Sequence, residues 1–466
     1  MVINSLVRLV NLSPIHWSIL IWVIISYRVL YQGQYLDLLT ILIYVSHQIT
    51  LLLCWSDSGK RDIIRSFNGM DDVNAKHTFL NSLLEPLGDE TLRMFSKLKN
   101  LHYLNLSNNL VSINNNVTYT LPKLSSLILS SCNISEFPIF LRIATTLQFL
   151  DLSKNRIYGQ VPKWLGDMGR DSLYFLDLHD NLLQGPFPTL SFLSLQYIFV
   201  SNNKLTGEIP SLICNASSLY VLDLSHNNLS GAVPKCLVHS NVLSVLDLRM
   251  NSLHGTNPAT FSKGNYFRNI DLNGNQLEGP LPRSLANCRN LEVLDLGSKK
   301  INGTFPYWLG SLLNLQVLVI RSNKFQGHIG NPKTKFPFPN LRILDISNNG
   351  SLPREYFKYL KAMTNVDEGK VALKYMGEEY YQDSLNVTIK GSYIELVRIQ
   401  TVFTTIDFSN NSFSGEIPKI IGRLKSLKGL NFSHNNLTGH IPSSFGNLSN
   451  LELLDLSFNI LIGGDS

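Results

Sequence analysis

The chain of 466 residues carries 40 basic and 34 acidic side chains, a net charge of +6, and is 44% hydrophobic but only 16% charged. Charge this sparse, with no Lys/Arg block, argues against nucleic acid and acidic membrane surfaces as partners, and the apolar content excludes a disordered chain. Five cysteines, Cys54, Cys132, Cys214, Cys236 and Cys288, form no CxxC pair and give little support to a zinc site or a dithiol redox centre.

Residues 1–95 match no repeat. Two apolar runs stand out there, Trp17 to Ile25 preceded by Arg8, and Leu38 to Leu53 interrupted by His47 and Gln48. They are read either as a signal or membrane segment or as mistranslated upstream sequence.

From residue 96 the pattern Leu-x-x-Leu-x-Leu-x-x-Asn recurs fourteen times, its final position falling on 109, 132, 155, 181, 203, 227, 251, 275, 299, 323, 349, 411, 435 and 459. LYVLDLSHN, with Leu219, Leu222, Leu224 and Asn227, is one instance. An interval that is mostly 24, with strand-like alternation at its centre, predicts an α/β solenoid: a leucine-rich horseshoe with one parallel sheet on its concave face. One such coil buries too few apolar side chains to fold alone, so neighbours complete the core. The recurrent asparagine is expected to turn the chain and to bond adjacent main chain through an amide that both donates and accepts. Cys132 and Lys299 depart from it, and lysine, which has no acceptor, predicts a local weak point.

A second motif, Leu-x-Gly-x-Ile-Pro, follows the asparagine, as in LTGEIP ending at Pro210, FSGEIP ending at Pro418 and LTGHIP ending at Pro442. Repeats one to eleven occupy 96–350 and repeats twelve to fourteen 401–466. Between Asn349 and Asn411 the interval is 62, which marks 351–400 as an island insertion. Cys214 and Cys236 lie in consecutive coils on the convex side and are disulfide candidates if their Cβ atoms approach within ~4.5 Å. Asn-x-Ser/Thr sequons are dense enough to point to the secretory pathway, although the repeat itself manufactures Asn-x-Ser. Asn116, Asn215, Asn302 and Asn386 fall in the less constrained places and are the glycosylation candidates.

No kinase signature, phosphate-binding glycine loop or GxSxG elbow occurs, and no cofactor or metal is implied. The recurrent acids, Asp151, Asp177, Asp223, Asp247, Asp271, Asp295, Asp345 and Asp455, supply one carboxylate per coil, a repeat column and not the paired, differently tuned acids of a glycosidase. Binding specificity is expected where the concave columns leave their own consensus. Phe199 and Val319 replace the aspartate, Arg249 and Arg321 replace a serine, and Tyr103, Phe149, Phe175 and Tyr197 form an aromatic column. A ligand surface of Tyr197, Phe199, Arg249, Met250 and Arg321 follows, with ordinary repeat drift as the alternative.

The Leu-x-Gly-x-Ile-Pro repeats resemble the plant-specific class of extracellular leucine-rich repeats over roughly Leu98 to Leu461. YYQDSLNVTIKGSYIELVRI, from Tyr380 to Ile399, directly before VFTTIDFSNNSFSGEIP, resembles the island and membrane-proximal repeats of plant receptor-like proteins, the kinase-less cell-surface receptors that include elicitor receptors. The resemblance implies extracellular recognition of a peptide, protein or glycan elicitor at the plasma membrane, in defence signalling through a leucine-rich co-receptor kinase. It also implies a co-receptor role for Tyr380, Tyr381, Asp383 and Lys390, against which stands mere stabilisation of a surface loop. A developmental peptide receptor, or a secreted inhibitor of wall-degrading enzymes, are the alternatives. The family's signal peptide, cysteine-paired caps, transmembrane helix and basic tail are not legible, which implies a truncated or imperfectly predicted gene product.

Overall fold

Alternating leucines put one side of each short strand into a core, and repetition stacks the strands in parallel. A computed structural model describes residues 21–31, 34–45, 48–52 and 95–463, apart from 117–119, 169–170, 189–192, 259, 326–333, 350–353, 365–373, 379 and 390–391. The chain divides into two compact units, Met1–Leu183 and Gln184–Ser466.

In the first unit, β1 (Ile21–Tyr31), β2 (Gln34–Val45) and β3 (Gln48–Leu52) form an antiparallel sheet, with Ile21 opposite Tyr44 and Ile41 opposite Leu52. Both apolar runs thus fall largely in strands, and among the described residues no helix is long and apolar enough to cross a membrane. Strands β4 (Tyr103–Asn105), β5 (Ser126–Ile128), β6 (Phe149–Asp151) and β7 (Phe175–Asp177) pair in parallel and in chain order. Their central Leu104, Leu127, Leu150 and Leu176 are buried, and on the opposite side Phe149 stacks on Phe175 with ring centroids 4.0 Å apart.

Among the described residues of the second unit, the long sheet has ten parallel strands: β8 (Tyr197–Phe199), β9 (Val221–Asp223), β10 (Val245–Asp247), β11 (Asn269–Asp271), β12 (Val293–Asp295), β13 (Val317–Val319), β14 (Ile343–Asp345), β17 (Thr405–Asp407), β18 (Gly429–Asn431) and β19 (Leu453–Asp455). Between β14 and β17 runs an intervening segment with its own antiparallel hairpin, β15 (Leu385–Ile389) and β16 (Ser392–Leu396). β14 pairs directly with β17, Leu344 opposite Ile406, so the segment leaves the sheet and returns without breaking its register.

Three consensus residues hold the typical coil. Asn251 Nδ2 donates to the Leu224 and Leu248 carbonyls of two successive coils, at 3.0 and 3.2 Å, while its Oδ1 accepts the Leu229 amide at 3.0 Å. At the first departure from this ladder the Cys132 thiol donates to the Leu106 carbonyl at 3.1 Å. The aspartate column is structural too: Oδ1 of Asp223, Asp345 and Asp455 accepts the amide two residues on, each at 3.0 Å, which closes the turn after the strand. The glycine of the second motif adopts φ +76° at Gly231, where a Cβ would also lie 2.6 Å from Glu208 Cγ. The following proline opens the convex side, which is built mainly of 3-10 turns such as Ser211–Asn215 after Pro210 and Ser443–Asn447 after Pro442. The helical half expected of an α/β repeat is therefore largely 3-10, with the five-residue α-helix Lys235–His239 as an exception, because turns this short seldom develop into α-helix.

Candidate functional site on the concave face

Many repeat strands carry one apolar and one polar side chain on the face away from the core. In β12, β13 and β14 the apolar ones, Val293, Val317, Val319 and Ile343, point outward yet are at most 1% exposed. Met376, Leu385, Val387 and Ile399 of the intervening segment bury them, with Leu396 and Phe403 packed at the edge. Each such aliphatic side chain contributes about 1.5–3 kcal/mol when removed from water.

Around this apolar seat the segment is anchored by polar contacts. Asp383, 0% exposed, accepts from Arg268 Nη1 at 2.7 Å, Arg268 Nη2 at 3.3 Å and Asn269 Nδ2 at 2.6 Å. The Tyr381 hydroxyl donates to Asp247 Oδ2 at 3.0 Å. Arg249 donates to the Ser384 carbonyl at 3.3 Å and to Glu395 Oε1 at 3.5 Å, and Arg321 donates to the Asn386 carbonyl at 2.7 Å and to Asp345 Oδ2 at 3.3 Å. The rings of Tyr197 and Tyr380 meet at 5.3 Å.

Covering a carboxylate column has electrostatic consequences. Burial pushes Asp247 up to about 7 although Arg249 opposes the rise. Burial, then the neighbouring Asp295 and Asp247, carries Asp271 well above the usual carboxylate range. Burial and then the Asp345 charge push Asp407 up to about 7. Burial alone disfavours the Arg249 cation, but Asp247 and Asp271 beside it outweigh that and raise its pKa. Among the described residues no cluster of three or more His, Cys, Asp or Glu side chains is arranged to hold a metal ion.

These positions correct the picture of an open arginine surface. Arg249 and Arg321 are 7% and 3% exposed, because a buried guanidinium is held only where acceptors surround it, and here the intervening segment supplies them. Phe199 is buried as well, Tyr197 is half-buried against Tyr380, and Met250, in the left-handed turn after its strand, stays 44% exposed. Of the residues assigned to a co-receptor, Tyr381 and Asp383 are internal anchors and not a presented surface, Tyr380 is 54% exposed, and Lys390 lies outside the described residues. Asn116, Asn215 and Asn302 are exposed and Asn386 is half-buried. Cys214 and Cys236 are joined by a disulfide, with Cα atoms 5.5 Å apart. Sequence reasoning missed Arg268, Asn269 and the outward valines. The signal available for the valines was the run of apolar residues at solvent-side positions in successive coils.

Comparison with known proteins places this geometry. Models described as leucine rich repeat match residues 146–168, 194–216, 217–277 and 403–461. Receptor-like protein 53 of Arabidopsis thaliana is 48% identical over 342 residues, 71% of this chain and 35% of that protein. Receptor-like protein 35 of the same plant is 47% identical over 347 residues, 71% of this chain and 36% of that protein. The chain thus spans about a third of the length of these two curated relatives. Among solved structures, the Arabidopsis receptor kinase HAESA in complex with the peptide hormone IDA and the co-receptor SERK1 superposes with a TM-score of 0.55 at 26% identity, covering 79% of this chain and 64% of that one.

Proposed function

Because this chain is a leucine-rich-repeat receptor ectodomain segment homologous to the plant receptor-like proteins, a non-catalytic fold, we propose that it recognises an extracellular peptide and acts through a partner receptor kinase. The observation that carries the reading is the homology, sharpened by a solved relative that holds a peptide hormone and a co-receptor. The intervening segment is, in this proposal, the island of the family, and the Leu-x-Gly-x-Ile-Pro coils are its plant-type repeats. Ligand meets a composite face, part sheet and part island, on which Tyr380, Tyr197 and Met250 keep accessible surface. Asn116, Asn215 and Asn302 carry glycans, and the Cys214–Cys236 disulfide fits an oxidising, extracellular setting. A developmental peptide is favoured over a defence elicitor, since the solved relative holds a peptide hormone. Defence recognition would use the same face.

The test is recovery of receptor kinases with the epitope-tagged full-length receptor, before and after tissue is treated with an extracellular peptide fraction. A peptide-dependent rise in a leucine-rich-repeat kinase is expected. Recovery unchanged by any fraction overturns the reading.

A further inference from the structure

Beside the anchored segment lies a cavity of about 400 Å³. Its sheet side is one column on adjacent strands, Asp345 opposite Asp407, Asp407 opposite Asn431, and Asn431 opposite Asp455. Val387 and Phe403 form its apolar wall. Gly429 leaves the floor open, and a Cβ there would lie 2.6 Å from Thr405 Oγ1.

Two of the four acids around this space are paired with a cation. Arg321 stands 3.3 Å from Asp345, and Lys428 holds Glu452 at the rim at 2.6 Å. Asp407 is not. It is 5% exposed, its Oδ1 accepts the Ser409 amide at 2.9 Å, and its Oδ2 has no hydrogen-bond partner. Among the described residues neither Asp407 nor Asp455 enters an ion pair, although the column meets Arg249 beside Asp247 and Asp271 and Arg321 beside Asp345. A buried carboxylate oxygen left unmatched is costly, and a cationic donor with an aliphatic stem would both satisfy it and cover the apolar wall.

We propose that this cavity is a subsite for a cationic side chain, arginine or lysine, carried by the peptide ligand, with Asp407 as its counter-ion and Val387 and Phe403 against its stem. The volume exceeds one such side chain and leaves room for an adjacent apolar residue. The inference rests on the peptide-receptor reading and names the chemistry of the ligand. A free polyamine would offer the same cation and stem, so the test separates the two sources.

The probes are acetyl-Leu-Arg-Val-amide, its citrulline counterpart, and spermidine, titrated into the secreted full-length chain by calorimetry. At pH 8 the arginine tripeptide should bind at least tenfold more tightly than the citrulline one, and Asp407→Asn should abolish that preference. Because burial pushes Asp407 up to about 7, the preference should shrink as pH falls from 8 to 6 and the carboxyl takes up a proton. Equal binding of the two tripeptides, binding of neither, or a preference untouched by Asp407→Asn overturns the proposal. Spermidine binding without tripeptide discrimination overturns it in favour of a free polyamine. Asp455→Asn, at the open end of the column, is the second variant should Asp407→Asn fail to fold, and a preference it leaves unreduced counts against the subsite. Kinase recovery with the Asp407→Asn receptor separates the two readings: if it stays peptide-dependent, only the cation subsite falls.

Discussion

Lys299 occupies the position at which neighbouring coils carry Asn275 and Asn323. Asn275 donates to the Leu248 and Leu272 carbonyls at 2.9 and 3.0 Å and accepts the Leu253 amide at 3.0 Å. Lysine has no oxygen to offer the equivalent amide of Leu277, and its Nζ is buried without a partner. Burial lowers its pKa to about 7, against the opposing influence of Asp271 and Asp295. Lys299→Asn should stabilise the second unit by about 1–3 kcal/mol, the usual cost of an unsatisfied buried polar group. The sign with pH follows from linkage. Between the native pKa and the unfolded value the unfolded chain binds the extra proton, so this group adds stability as pH rises from 7 toward 10. The gain from Lys299→Asn is therefore largest near pH 7 and fades in alkali. Denaturant unfolding at pH 7.5 and 9.5 checks both points, and no gain at the lower pH would refute the assignment.

At the level of elements, the decisive contact is the seating of the intervening segment on β12 to β14. Its hairpin, two five-residue strands, would be marginal by itself in water. Apolar burial at Val319 and Ile343 and the buried Asp383–Arg268 pair hold it down. Asp383→Ala leaves the buried Arg268 with only the more distant Glu292 carboxylate at 3.6 Å, and loss of one partner of a buried pair costs about 3–5 kcal/mol. Hydrogen exchange of the amides from Tyr381 to Ile389 should then accelerate by at least a hundredfold while β8 to β10 stay protected. Unchanged exchange in the hairpin would mean that the apolar seat alone suffices. Asp383→Asn, which keeps an acceptor, should fall between.

For the whole molecule, the acidic column makes stability depend on pH in an unusual direction. Asp247 and Asp407 are pushed up to about 7 by burial, and burial also raises Asp177, Asp271 and Asp295. A carboxyl whose folded pKa lies above its unfolded value of about 3.9 binds more protons in the native state across that window, so stability falls as pH rises from about 4 to 7. The thermal midpoint of the chain is expected to be higher at pH 5.5 than at pH 7.5. A flat or opposite dependence would mean that the column is ionised throughout, its charges matched by Arg249, Arg268 and Arg321.

The repeat itself was legible in the residues. Leucine alternation and the asparagine at 24-residue spacing are local requirements, met within one coil and its neighbours, so periodicity alone specified the parallel solenoid. The consensus aspartates were recognisable as a column, though only the structure showed each Oδ1 closing a turn. The fate of Arg249, Arg321, Tyr381 and Asp383 was decided in three dimensions. Their partners across the sheet and the intervening segment lie between 65 and 146 positions away along the chain, and nothing in a 24-residue pattern records which outward positions a distant segment will cover. Exposure read from strand alternation presumes water on the outer face. Here the chain's own segment takes the place of that water, which turns would-be ligand residues into internal anchors and leaves the Asp407 cavity beside them.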